Sequence, residues 1–164
     1  MVTSLGNVEL AIDELYAPTT AANFKAYVDD SFYDGVIFHR VIDDFMVQSG
    51  GFTSGLEAKE TMSPIESESR NGLKNYAGRI AMARTSAPHS ATSQFFINLD
   101  DNDFLDAENA SDGWGYTVFG GVISGMDVIE QIGAVETEVS GGRADVPVNE
   151  ITVDSVTPSS CPAA

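Results

Sequence analysis

The stretch 38-FHRVIDDFMVQSGGF-52 sets a cation, Arg40, inside a run that otherwise has the composition of buried strand. Two short apolar segments, Val36 to Ile42 and Phe45 to Gln48, read as strands here. On extended chain, Arg40 and Gln48 project polar groups into one space that Phe45 or Met46 floors. Only eight of the 164 residues are lysine or arginine, and Arg40 is the one embedded among apolar residues on both sides. A permanent charge in such a run calls for a carboxylate partner, such as Asp43 or Asp44, or for a site that uses it.

Outward from this stretch the pattern stays mainly β. Asn7 to Leu15 alternates apolar and polar residues, as a strand with one buried face does. Further short apolar runs, Arg79 to Ala83, Gln94 to Leu99, Tyr116 to Val122 and Ile151 to Val156, are separated by turns rich in glycine, serine and asparagine. Two helices interrupt them. Pro18 to Asp30 starts on a proline suited to a first helical turn and spaces Ala21, Phe24, Tyr27 and Val28 on one side. Gly125 to Gly133 does the same with Met126, Ile129 and Ile132. Many short strands with such punctuation fit a closed barrel or a sandwich, and two helices suit the open ends of a barrel.

Composition narrows the function. The length is that of one domain, expected over residues 1–158, with 159–164 as a short flexible tail. The single cysteine, Cys161, falls in that tail and has no intrachain partner, which excludes a disulfide scaffold and a cysteine-based metal site. Twenty-five acidic residues against eight basic ones give a net charge of −17, which repels nucleic acid and anionic membrane. The acidity fits a solvated surface, and the scarcity of lysine, three in all, motivates the idea of a saline habitat. No apolar run is long enough to span a bilayer, and the N-terminus has no basic segment followed by an apolar one. The expected setting is cytoplasmic, with the periplasm after removal of a leader as the alternative. No phosphate loop, dinucleotide fingerprint, HExxH or nucleophile elbow is present, and two histidines make a zinc site improbable. Asp100-Asp-Asn-Asp103 lacks the glycine and the terminal glutamate of an EF-hand and reads as a solvated acidic loop.

FHRVI and FMVQSGGF, then IAMAR (Ile80–Arg84), SQFFI (Ser93–Ile97) and YTVFG (Tyr116–Gly120), resemble in order and spacing the cyclophilin-type peptidyl-prolyl cis-trans isomerases. The likeness runs from Gly6 to about Val156, and MARTSAPHSATSQFFI with GWGYTVFG is similar to the bacterial single-domain branch. It implies a closed eight-stranded antiparallel β-barrel capped by two α-helices. It also implies an enzyme acting on proline-containing peptides; rotation about a peptide bond needs neither metal nor cofactor, and the chain is expected to act as a monomer on unfolded or flexible chains. A proline-recognising binding module or chaperone with little isomerase activity is the alternative.

Carried over residue by residue, the likeness makes Arg40 the catalytic residue. It gives substrate contacts to Phe45, Met46 and Gln48, to Ala83 and the main chain of Arg84, to Gln94 and Phe96, and to Phe104, Leu105 and Tyr116. His39 is left in a supporting position. Two departures stand out. Phe104 replaces a tryptophan whose indole contacts cyclosporin in sensitive members, so weakened affinity for that inhibitor is expected. Tyr116 replaces a histidine at the pocket rim, and Trp114 lies too far along its loop to stand in for the missing indole.

Overall fold

The computed structural model describes residues 1–159 and is mainly β with two helices. Cys161 and nearly all of the expected tail lie outside the described residues. The chain opens with β1 (Val2–Thr3), β2 (Gly6–Asn7) and β3 (Glu9–Ile12). The expected strand to Leu15 stops early because Asp13 Oδ1 accepts the Leu15 and Tyr16 N–H groups at 3.1 and 2.8 Å, turning the chain. Helix α1 (Pro18–Asp29) follows, with Pro18 in its first turn and Ala17, which has no side-chain acceptor, before it. The missing cap comes from a distant loop. Glu68 accepts from Thr19 N at 3.0 Å and from Thr20 N and Oγ1 at 2.8 and 2.7 Å.

Strands β4 (Val36–Ile37), β5 (Arg40–Ile42), β6 (Met46–Ser49), β7 (Phe52–Thr53) and β8 (Glu57–Ala58) come next, then β9 (Arg79–Met82), β10 (Phe95–Asn98) and β11 (Val118–Ser124). Helix α2 (Met126–Gly133), a hairpin of β12 (Thr137–Ser140) and β13 (Arg143–Pro147), and β14 (Thr152–Ser155) complete the described chain. All pairings between these strands are antiparallel. The ladders form two six-stranded sheets, β2-β1-β14-β4-β7-β8 and β3-β11-β9-β10-β6-β5, plus the separate β12-β13 pair. Three segments run from one sheet into the other: β2 into β3, β4 into β5, and β6 into β7. At one of these corners Phe38 N donates to Ile151 O of the first sheet, while His39 N donates to Gln48 O of the second, at 2.9 and 3.1 Å.

Both sheets and both helices share one core. Phe24, Tyr27 and Val28 of α1 and Val128, Ile129 and Ile132 of α2 join Val36, Val41, Val47, Ile80, Phe95, Ile97, Phe119 and Val153 in a single buried cluster. The Phe24 ring meets Tyr33, Phe95 and Phe119 at centroid distances of 5.2, 5.8 and 5.3 Å. Rings at these distances add about 0.5–1.5 kcal/mol per pair beyond area burial. Tyr33 stays satisfied in this apolar setting because its hydroxyl donates to Ser93 O at 2.9 Å. Among the described residues, no helix is long and apolar enough to cross a membrane.

The β12-β13 hairpin was not expected from periodicity, since Thr137–Ser140 and Arg143–Val146 are mostly polar and exposed. Its signal was in the turn. Ser140 pairs with Arg143 across Gly141-Gly142, whose φ angles of 56° and 76° are those of the two-residue turn that matches strand twist.

Candidate active site

Alternation along the strands sorts the opening stretch into two faces. Val41 and Val47 point into the main core with Phe95 and Ile97, so their neighbours Arg40, Ile42, Met46, Gln48 and Phe96 point the other way. Register aligns them. Arg40 pairs with Gln48, Gln48 with Phe96, Phe96 with Ala81 and Ala81 with Val118, giving one row across five strands. The next row sets Ile42 against Met46 and Met46 against Asn98. Met46, Ala81, Phe96, Leu105 and Val118 form a second apolar cluster on this face, with Ile42, Phe45, Leu73, Ala83 and Tyr116 packed around it.

Arg40 sits at the polar end of this apolar floor. Among the described residues its guanidinium makes neither an ion pair nor a side-chain hydrogen bond, and Asp43 accepts the Asp44 N–H instead. A partly buried cation whose donors have no acceptor among the described residues is available to a ligand. Its cross-strand neighbour is held in place, since Gln48 Nε2 donates to Gln94 Oε1 at 2.9 Å. Gln94 is fixed in turn. Its main-chain O accepts Ala83 N at 3.0 Å, and its side chain lies against Gly51, where any Cβ would come within 2.6 Å of the amide. The glycine in Ser49-Gly-Gly51 therefore makes room for the amide that orients Gln48.

A buried polar network carries the other wall. Asn102 Nδ2 donates to Phe45 O and to Asn98 Oδ1, both at 2.9 Å, and Asn75 Nδ2 donates to Asp106 Oδ1 at 2.9 Å. Asn98 Nδ2 reaches Asn75 Oδ1 at 3.3 Å and links the two halves. This pins the Asp103–Leu105 turn beside β6, with Leu105 buried and the 55 % exposed Phe104 stacked on Phe45 at 5.7 Å. At the far rim Tyr116 meets Phe96 edge-on at 5.6 Å, and Arg84 covers Tyr116 at 4.8 Å. Arg84 Nε donates to Gly115 O at 2.8 Å and Nη2 pairs with Asp112 Oδ2 at 2.5 Å, so this side chain ties two loops together. Hydrogen bonds from Trp114 and Gly115 N–H, with the Arg84 charge behind them, hold the Asp112 carboxyl down to about 2. Trp114 itself is taken up by Arg70, at 4.0 Å, and His89, at 4.7 Å.

His39 stands apart from this surface. It is buried against Phe52, with ring centroids 4.7 Å apart, and among the described residues its Nδ1 has no hydrogen-bond partner. Burial, with the Arg143 charge as a second cause, lowers its pKa to about 4, so the ring is neutral near pH 7. The other candidates, Arg40, Phe45, Met46, Gln48, Ala83, Arg84, Gln94, Phe96, Phe104, Leu105 and Tyr116, come together around one shallow groove. A cleft of about 590 Å³ beside Asp13, Arg79, Gly120 and Gly121 lies elsewhere and contains none of them.

The model of the family described as "Cyclophilin type peptidyl-prolyl cis-trans isomerase/CLD" matches residues 1–157. The chain belongs to the cyclophilin-type peptidyl-prolyl cis-trans isomerases. An isomerase of Streptomyces antibioticus is 51 % identical to this cyclophilin over 154 residues, 93 % of each chain. Peptidyl-prolyl cis-trans isomerase B of Escherichia coli is 50 % identical over 96 % of each. A cyclophilin-type isomerase of Cryptosporidium parvum, solved in the presence of the dipeptide Ala-Pro, shares the fold with a TM-score of 0.84, at 24 % identity and 98 % coverage of both chains.

Ile42, Leu73, Ala81 and Val118 complete the apolar floor and were not singled out from the sequence. Three of them were within reach. Ile42 lies two residues from Arg40, and Ala81 and Val118 lie in the short runs already read as strands, so only the cross-strand register was missing.

Proposed function

We propose that this chain accelerates rotation about Xaa-Pro peptide bonds, with Arg40 stabilising the twisted amide and the Met46–Phe96–Leu105 patch holding the proline ring. The bond resists rotation by about 18–20 kcal/mol because its C–N link has partial double-bond character, and the unassisted exchange takes tens to hundreds of seconds. A catalyst must bind the twisted amide more tightly than either planar form. When the amide twists, the nitrogen lone pair leaves conjugation and becomes an acceptor. A fixed guanidinium donor then gains a hydrogen bond that neither planar isomer offers. Gln48, oriented by Gln94, and the main chain at Arg84 hold the turning carbonyl side. No bond is broken, so neither nucleophile nor cofactor enters the scheme.

The observation that carries this reading is the Arg40 guanidinium, unpaired among the described residues and set by strand register at the edge of an apolar floor in a chain of this family. The bent segments that join the two sheets support a barrel reading. Counted as single strands, β2-β3, β4-β5 and β6-β7 join β1, β9, β10, β11 and β14 into a ring of eight. Residues 1–158 then form one domain, acting as a monomer, and Phe104 in place of an indole donor leaves cyclosporin a weaker ligand. The test of the reaction is peptide isomerisation by the native chain and by Arg40→Ala at matched folded concentration. Loss of one donor aimed at developing charge costs about 10²–10³ in rate. Equal activity in both proteins removes Arg40 from the mechanism. Binding of proline peptides without any acceleration replaces the isomerase by a binding module.

A further inference from the structure

The Phe45–Phe104 pair continues the groove beyond the proline pocket as an exposed aromatic platform, and the two loops beside it are rich in aspartate. Phe45 packs on the apolar floor, while Phe104 is 55 % exposed and lies nearly parallel to it, 27° between planes. Leu99 N and Asn102 Nδ2 both donate to Phe45 O at 2.9 Å, which brings the Asp43-Asp44 turn beside the loop that carries Asp100, Asp101 and Asp103. Among the described residues none of these five aspartates is in an ion pair. Of the neighbouring cations, Lys74 is engaged by Asp106 and Glu108 and Arg84 by Asp112, while Arg40 pairs with none of these aspartates and stands one strand row back, opposite Gln48. A metal does not explain the cluster, since among the described residues no group of three or more carboxylate, histidine or cysteine side chains is placed to hold one.

We infer that the Phe45–Phe104 platform selects substrates with a lysine or arginine near the proline, the cation lying over the exposed ring with Asp43, Asp44 and Asp103 around it. This rests on the isomerase reading, because the platform adjoins the groove that holds proline. Strand spacing supports the reach. Asp43 opens the turn that follows β5, three residues from Arg40 and so within about 10 Å of it, which is the reach of a side chain two residues from the proline. An aromatic face attracts a cation within about 6 Å of its centroid, and unneutralised carboxylates strengthen the attraction. A glutamate in the same place meets like charge. The long-range field of a chain with net charge −17 also favours basic substrates, but it does so without regard to Phe104.

The test uses short peptides with one proline that carry lysine, alanine or glutamate two residues before it or two residues after it. Isomerisation kcat/KM is measured at low ionic strength with the native chain. On one side of the proline the lysine peptide is expected to exceed the glutamate peptide about tenfold, falling to about twofold at molar salt. The combined variant Asp43→Asn/Asp44→Asn/Asp103→Asn is expected to reduce the ratio to about twofold. Asparagine keeps the Asp43 side-chain acceptor and tolerates the left-handed φ of 56° at position 44, and melting temperatures verify that the variants fold. Phe104→Leu, which keeps apolar bulk but loses the ring face, lowers the ratio as well. A control triple, Glu14→Gln/Asp30→Asn/Asp34→Asn, removes equal charge outside the groove and keeps the ratio. A lysine-to-glutamate ratio near one, or an equal loss of preference in the control triple, overturns the platform. If all peptides are accelerated alike, the isomerase reading stands and only the selectivity fails. If none is accelerated, the isomerase reading fails first and takes the selectivity with it.

Discussion

On the core side of β5, β6 and β10 stand Val41, Val47, Phe95 and Ile97, and on the groove side of the same strands stand Arg40, Ile42, Met46, Gln48 and Phe96. The first set has rings and branched chains closed on every side. The second has a floor of similar apolar residues but ends in a cation and an amide. The difference shows how a core can position chemistry it never touches. Slipping β5 by one residue would turn Arg40 into the cluster of Val41 and Phe95, an outcome costing far more than any register-neutral change. Core packing therefore fixes the orientation of the guanidinium, and Arg40 needs no ion pair to hold its place.

Breaking the core side should produce the largest loss of stability. Phe95 is fully buried and meets Phe24 and Tyr33 edge-on at 5.8 and 5.5 Å. Phe95→Ala is expected to cost about 3–5 kcal/mol in denaturant unfolding, with activity per folded molecule kept. Phe96→Ala, one residue along, lies in the smaller cluster that floors the groove and is expected to cost about 3 kcal/mol, the low end of the same range, while raising KM for a proline peptide several-fold. If the two variants lose equal stability and Phe96→Ala binds peptide normally, the two-faced description is wrong. Arg40→Ala marks the opposite extreme, with unfolding free energy within about 0.5 kcal/mol of native despite the large loss of rate.

His39 sharpens the comparison because it sits beside Arg40 in sequence yet is buried, against Phe52. Its pKa is about 4 folded, against 6.5 for the free side chain. The unfolded chain therefore takes up this proton first, and stability contributed by neutral His39 is fully present above about pH 6.5. It falls as pH drops and levels off below about pH 4. At 1.36 kcal/mol per pKa unit this amounts to about 3 kcal/mol between pH 7 and pH 4. Urea unfolding at several pH values should show native protein losing about that much more than His39→Leu over the same window. Parallel curves for the two proteins would mean that the ring is hydrated or paired when folded.

Most of the fold is legible in the residues because the strands are short, apolar and well punctuated. Helix α1 is bounded within one residue by Pro18 and the end of its apolar spacing. What the sequence hides is register and side-chain pairing. The row Arg40–Gln48–Phe96–Ala81 needs residues far apart in the chain to be set opposite one another, and no local pattern specifies that. Glu68 capping α1 and the Asn75–Asp106 link are likewise long-range, and each uses a residue type that is ordinary for a surface loop. Family likeness supplied the groove residues because it encodes register indirectly. It said little about Arg84, whose side chain closes two loops that the likeness treats through main-chain atoms alone.

Arg84 yields the smallest expected effect and isolates the groove rim from its floor. Its guanidinium is bound by Gly115 O, Thr85 O and Asp112, and it lies over Tyr116. Arg84→Met keeps length and apolar bulk but removes these polar contacts, so the 112–116 loop loses one of its tethers and keeps those from Arg70 to Gly113 O and from Tyr116 N to Leu105 O. A charged hydrogen bond to a main-chain oxygen contributes about 1.5–3 kcal/mol where water is excluded, and exposed Asp112 lowers the expected loss here to about 1 kcal/mol. KM for a proline peptide is expected to rise about twofold to threefold through the looser Tyr116, while kcat stays near native because Arg40 and Gln48 lie on strands the loop does not anchor. Arg84→Lys keeps the charge but lacks the fork that reaches both Gly115 O and Asp112, so it should resemble the methionine variant. A fall in kcat with unchanged KM would instead place Arg84 in direct contact with the twisting amide, joining the rim to the chemistry of Arg40.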